Sequence, residues 1–303
     1  MRLQEVARGD KVSTRLLFNF ISFVSGMRLP DAARIVMYDK TFYGEPMTAW
    51  THPVMRGESR WSVGERELMA ALTAKWNECA FCVAAHSAIA SLALEKQAVT
   101  AALDNFQQAP LSNKLKAVLS FLKKLVLHPA DVTGNDTRTV LNAGASREEI
   151  EDAMAVITVF SITVRCADTF NFALLNDKDL EKSAKRMLAQ GYAWGKAKTP
   201  PHPDHIALAG DLRRRVLEGP GVTEPGLRQR MAKRAAGGPA IESPYDGLAS
   251  QIGEAAYKVT ENQVASVVQQ AGNEKAAFEL IISAAVGAGL YRWDAGFAVL
   301  KGL

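Results

Sequence analysis

The chain is poor in cysteine, with three thiols in 303 residues. Three cysteines cannot build a disulfide framework, and a chain of this length buries enough core to need none. Charge of one sign is scarce as well. The formal net charge is only +4, and no dense basic stripe with interleaved aromatics accompanies it, so nucleic acid is excluded as a partner. The run Arg213-Arg214-Arg215 and the cluster Arg228 to Arg234 read as solvated helix faces. Near the N-terminus, Leu16 to Val24 is apolar but too short to span a bilayer. Arg2, Lys11 and Arg15 precede it as cations precede a signal-peptide core. Glu5 and Asp10 lie among them, however, Asn19 and Ser22 interrupt the run, and no small-x-small cleavage site follows. The stretch therefore reads as a packed amphipathic helix of a cytoplasmic protein that has no membrane contact.

Strand patterning is also missing, and helical periodicity takes its place. Apolar residues recur at three- and four-residue spacing over 12–25, 31–40, 65–76, 79–95, 98–107, 112–127, 134–143 and 147–175. The punctuation agrees. Ser112 is placed to cap one helix, His128-Pro129 closes it, and Asn142-Ala-Gly144 is a helix stop. Ser146-Arg-Glu-Glu149 then forms a capping box that opens the next helix. Between Ala153 and Val164 that helix is apolar nearly all round, which marks a central core or subunit-interface helix. Cys166, near its end, reads as a small buried hydrophobe. The fold class is all-α, with no substantial sheet.

From Gly195 the composition changes. Lys196 to Asp204 is a Pro-rich linker, and Gly/Pro pairs break Glu218 to Pro244 repeatedly. The last block, 246–303, repeats an earlier pattern. Val132-Thr-Gly-Asn, Val140 to Gly144 and Arg165-Cys-Ala-Asp168 return as Val259-Thr-Glu-Asn, Val267 to Gly272 and Arg292-Trp-Asp294. The offset of 126 to 128 residues predicts an internal duplication. The boundaries follow: an N-terminal helical segment (1–60), a first unit (61–194), a linker and irregular segment (195–245), and a second unit (246–303). Moving Cys79, Cys82 and His86 forward by 127 lands on Ile206, Ala209 and Arg213. No cysteine follows Cys166, so the second unit has scaffold without thiol chemistry.

The chemistry-bearing stretch runs from Glu67 to His86. Cys79 and Cys82 are three residues apart, and His86 follows four later, spacings that put all three on one helical face. A close Cys-x-x-Cys outside a disulfide framework points to redox or metal chemistry. The thiolate is the reactive form, and a free thiol near a pKa of roughly 8.5 needs help to ionise. Asn77 is a candidate N-cap, which would put Glu78 and Cys79 in the first helical turn and Cys82 one turn deeper, with His86 at i+4 as its base. On residue type alone three readings stay open: dithiol redox chemistry, a zinc site made from Cys, Cys, His and Glu, or inert core cysteines. Glu65 competes with Glu67 for the acidic role. His52, His128, His202 and His205 lie beside Pro or in linker sequence, where turn and solvent roles are expected.

Glu67, Cys79, Cys82 and His86 match the Glu–x11–Cys–x2–Cys–x3–His signature of the alkylhydroperoxidase D-like proteins, within the carboxymuconolactone decarboxylase superfamily. The resemblance is clear over about 60–175 and extends, as scaffold only, over 246–303. It implies a helical bundle and a thiol-dependent peroxidase or dithiol oxidoreductase that assembles as a homo-oligomer; with the exposed faces of the apolar helices 153–164 and 278–291 as the contact, a homodimer or homotrimer is expected. It further implies that Cys82 attacks a hydroperoxide or other small oxidant, that Cys79 resolves it to a disulfide, and that His86 and Glu67 relay the proton. A dithiol or thioredoxin-like donor would return the electrons. No cofactor or metal is implied. The chain departs from the founding members at Phe81, where they carry a second relay histidine. A decarboxylase or lactone-handling member, or a non-catalytic helical scaffold, is the alternative.

Overall fold

A computed structural model describes residues 1–192 and 199–302, and every regular element among them is a helix. The chain opens with α1 (Gln4–Arg8), α2 (Val12–Ser25) and α3 (Asp31–Tyr38), and a π-turn leads into α4 (Glu45–Arg56). There follow α5 (Val63–Trp76), α6 (Ala80–Ala93), α7 (Lys96–Asn105), α8 (Asn113–Leu127), α9 (Gly134–Asn142) and the long α10 (Arg147–Phe170). The remainder is α11 (Asp177–Gln190), α12 (His205–Leu217), α13 (Pro225–Ala235), α14 (Tyr245–Ala255), α15 (Glu261–Ala271) and α16 (Glu274–Lys301). Helices α12 and α13 therefore occupy much of the stretch whose Gly/Pro content suggested irregular chain. Part of the Lys196–Asp204 linker lies outside the described residues.

The helices sort into two compact units that are interleaved in sequence. One comprises 50–161, 180–206 and 289–303; the other comprises 1–49, 162–179 and 207–288. The first contains both cysteines of the Cys-x-x-Cys motif and is called the thiol unit below. Its helix boundaries are set by local chemistry. Ser62 and Glu65 close a reciprocal capping box at the start of α5, and Ser112 accepts from the Leu115 N–H at 3.2 Å to open α8. Ser146 and Glu149 exchange bonds of 3.1 and 2.7 Å to open α10, as the sequence predicts. By length and composition α10 could cross a membrane, but 89% of its most apolar window is buried within the protein.

The other unit departs from expectation at α2. This helix buries Phe18 against Leu29 and Met37, with Ile21 packed partly against them, but turns most of its other apolar residues outward. Val12, Leu16, Phe20, Phe23 and Val24 are 63 to 85% exposed, so α2 is not the packed helix that its pattern suggests. The helical segments expected to supply an oligomer face, 153–164 and 278–291, are instead buried almost throughout.

Candidate active site

The two cysteines emerge from a tight turn between α5 and α6. At the end of α5 the Glu78 N–H donates to Lys75 O at 3.1 Å and the Cys79 N–H to Ala74 O at 3.0 Å. These are the two bonds of a Schellman cap, with Glu78 at its left-handed position, φ 59°. Asn77 therefore ends α5 and does not cap α6. The N-cap of α6 is Cys79 itself, two residues later than expected. The shift moves Cys82 into the first turn, at the helix end whose dipole favours negative charge. The first intrahelical bond, Val83 N–H to Cys79 O at 3.0 Å, forms behind it. Both thiols are buried, and no disulfide joins them.

Glu67 and Glu65 separate cleanly. Glu65 is spent on the capping box, accepting from the Ser62 N–H at 2.8 Å. Glu67, two residues on, points the other way and is fully buried. Its Oε2 lies 2.8 Å from Nδ1 of His86. Burial opposes ionisation of Glu67, but the bond and charge of His86, together with those of Arg56, outweigh it and hold the carboxyl below its usual range. With Nδ1–H donated to an ionised Glu67, the neutral His86 ring keeps its lone pair on Nε2, one helical turn from Cys82. Phe160 packs edge-on against the ring with centroids 4.4 Å apart.

Two residues at this site carry no sequence signal. Arg56 donates through Nη2 to Glu67 Oε1 at 2.7 Å and to the Met187 carbonyl at 2.9 Å. The Tyr192 hydroxyl lies 3.1 and 3.2 Å from the two Glu67 oxygens and 3.4 Å from His86 Nδ1. Burial, then the charge of Glu67, pushes the Tyr192 phenol well above its ordinary range, and the charge of Cys82 contributes to the same rise. Tyr192 is delivered by Gly191, φ +70°, where an added Cβ would lie 2.7 Å from Arg56 Cγ and 2.9 Å from His52 Cε1. A polar residue 125 positions from its partner is invisible to spacing arguments.

A second polar cluster lies in the thiol unit. His202 and His205, expected in turn and solvent roles, both bond Asp152 Oδ1 through Nε2, at 2.8 and 3.0 Å. Ser59 donates to Asp152 Oδ2 at 2.5 Å. Burial raises the Asp152 pKa, but the bonds from His205, Ser59 and His202 outweigh it and hold the carboxyl low. The three potential ligand atoms lie within 4.8 Å of one another, and two histidines with one carboxylate are a competent donor set. The hydrogen-bond polarity does not fit a metal. Trp50 donates its indole N–H to His205 Nδ1 at 3.2 Å, so His205 carries its proton on Nε2, the atom a metal would need. Ligating histidines instead present an N–H on their outer nitrogen to an acceptor.

The chain matches no known family profile and no curated protein. Among solved structures it is similar to an uncharacterized peroxidase-related protein from Silicibacter sp. TM1040, at 24% identity and a TM-score of 0.49, over 58% of this chain and 91% of that one. It is also similar to an uncharacterized peroxidase-related protein from Ralstonia eutropha JMP134 described as an alkylhydroperoxidase AhpD core, at 19% identity and a TM-score of 0.47. That match covers 58% of this chain and 90% of the other.

Proposed function

We propose that the protein is a cysteine-dependent dithiol oxidoreductase of the peroxidase type. The observation that carries this reading is the buried Glu67–His86 pair set one helical turn from a thiol in the first turn of α6. His86 Nε2 takes the Cys82 proton, leaving a thiolate beside an imidazolium. The thiolate attacks the O–O bond of a hydroperoxide. The S–O bond forms, the O–O bond breaks, and the departing alkoxide takes the proton from His86 and leaves as an alcohol. Cys82 is then a sulfenic acid. Cys79 attacks its sulfur, releasing water and closing the Cys79–Cys82 disulfide. A dithiol donor restores both thiols by exchange and is itself oxidised to a disulfide.

Thiol counting tests this. One equivalent of peroxide should remove two of the three thiols, leave Cys166, and produce an intramolecular Cys79–Cys82 link by peptide mapping. The Cys82→Ser variant should consume no peroxide. No loss of thiols in the wild type, or a tenth of its turnover surviving in Cys82→Ser, sinks the proposal.

The internal duplication is also proposed, with a register different from a uniform shift. Arg66 is the fourth residue of α5, is buried, and donates to the Val54 and Gly57 carbonyls at 3.0 Å each. Arg228 is the fourth residue of α13, is buried, and donates to the Thr223 and Gly219 carbonyls. Thr133 and Thr260, 127 residues apart, both form capping boxes. Pairing α13–α14 with α5–α6 sets the N-caps Cys79 and Pro244 in correspondence, and with them Cys82 and Gly247. The second copy then lacks α7 and α8, which is why a constant offset of 127 misplaces its helix pair. Arg66→Met and Arg228→Met should each lower the melting temperature by similar amounts; a silent Arg228→Met contradicts the correspondence.

A further inference from the structure

We infer that Tyr192 and Arg56 hold Glu67 as an anion over the range in which Cys82 ionises, so that the proton leaving Cys82 stops at His86, with Tyr192 the positioning residue for that pair. This rests on the dithiol reading above, because it concerns the proton that Cys82 gives up.

An isolated carboxylate as deeply buried as Glu67 would take up a proton to escape its desolvation cost. Glu67 is surrounded by three donors. Arg56 bonds Oε1 at 2.7 Å, His86 bonds Oε2 at 2.8 Å, and the Tyr192 hydroxyl reaches both oxygens at 3.1 and 3.2 Å. Tyr192 acts only as a donor there, since its own ionisation is opposed by burial and by the charge of Glu67. Protonating Glu67 would leave the Arg56 guanidinium buried without its counter-charge, which is the costly way to break such a pair. A carboxylate held in this way cannot serve as the next proton acceptor. It anchors His86 through Nδ1–H and stabilises the imidazolium that forms when Nε2 takes the thiol proton.

The same residues hold the imidazole in place. The Tyr192 ring lies nearly parallel to that of His86, 12° apart with centroids separated by 6.4 Å, and Phe160 closes another side edge-on. The Arg56 guanidinium in turn sits 5.2 Å from the Tyr192 ring centroid, so anchor and clamp support each other. The Tyr192 backbone N–H is tied to His52 Nδ1 at 3.2 Å, which fixes the hydroxyl over the carboxylate.

The test needs no peroxide, so its failure is distinct from failure of the peroxidase reading. In a Cys79→Ser/Cys166→Ser background only Cys82 titrates in the ultraviolet thiolate band. Carbon NMR of the Glu67 carboxyl and nitrogen NMR of the His86 ring are followed over the same pH range. The expected result is a Glu67 that stays ionised while the thiolate forms, and a proton that appears on His86 Nε2 as it does. Tyr192→Phe should keep the helical circular dichroism of the parent and raise the Cys82 titration midpoint, lowering the thiolate fraction at neutral pH by about two- to tenfold, the equivalent of one net hydrogen bond. A protonated Glu67 alongside the thiolate overturns the inference, and the parent protein alone decides that point if the variant misfolds. A Tyr192→Phe variant that is folded and titrates like its parent overturns the positioning role.

Discussion

The indole N–H of Trp50 donates to Nδ1 of His205 over 3.2 Å, fixing the proton of that buried ring on Nε2 and aiming it at Asp152. A cluster with the composition of a metal site is thereby wired as a hydrogen-bond chain from Trp50 through His205 to Asp152, with Ser59 on the second carboxylate oxygen. With the thiols blocked, zinc should leave the melting temperature of the wild type unchanged. Trp50→Phe removes the opposing donor and frees Nδ1 to carry the proton, so zinc should stabilise that variant. Stoichiometric zinc on the thiol-blocked wild type that is lost in Asp152→Asn contradicts the assignment.

Removing the charge of Glu67 should be expensive. Glu67→Gln keeps the side-chain size but leaves Arg56, whose side chain is 9% exposed, without its anion. Breaking one partner of a buried ion pair costs about 3 kcal/mol. Denaturant unfolding should show a loss of that order. The double variant Arg56→Met/Glu67→Gln should recover part of it, because both charges are then gone. Additive losses argue that the two side chains are not coupled.

The pH dependence of stability has a definite sign. Glu67 and Asp152 both have carboxyl pKa values below their ordinary ones, despite burial, because of the donors around them. Each contributes stability that is complete above the ordinary carboxylate range, about pH 4, and is lost as pH falls through the lowered folded-state value. The wild type should therefore destabilise on acidification into and below that range. In Glu67→Gln and in Asp152→Asn the decline should be shallower. A variant with the full acid slope of the wild type shows that its carboxylate is not one of the groups responsible.

Glu78 sits at φ 59° in the Schellman cap that launches Cys79 and Cys82. A left-handed conformation costs a residue with a Cβ about 1–2 kcal/mol, and glycine avoids that penalty. Against the entropy glycine loses on folding, Glu78→Gly should raise stability by about 0.5–1 kcal/mol. The spacing of the two thiols should not change. A lower melting temperature would mean that the Glu78 side chain contributes more than its backbone strain costs.

Helices and thiol spacing were legible in the chain because both depend on residues three or four apart. The Ser146–Glu149 capping box, the stop at Gly144 and the one-face spacing of Cys82 and His86 all follow from helix geometry alone. The misplaced N-cap of α6 marks the limit of that reasoning. Asn77 is a good capping residue, but the α5 cap takes Asn77 as its last residue and turns the chain at Glu78. Two helix ends competed for one asparagine, and propensity does not say which prevails. The outward apolar face of α2 failed for a related reason: periodicity identifies a stripe, not what covers it.

By itself the sequence determined an all-helical chain with one Cys-x-x-Cys stripe, a histidine in register with it and no thiol beyond Cys166. The tertiary structure alone decided that Glu65 caps its own helix while Glu67, the glutamate of the signature, turns inward to His86. It also decided that Arg56 and Tyr192 bond that same carboxylate and that Trp50 sets the proton on His205. Each of these depends on a donor far along the chain, or on an opposite face of its helix, being brought into a dry interior. There an unpaired charge is too costly to survive, so the packing dictates where the protons reside.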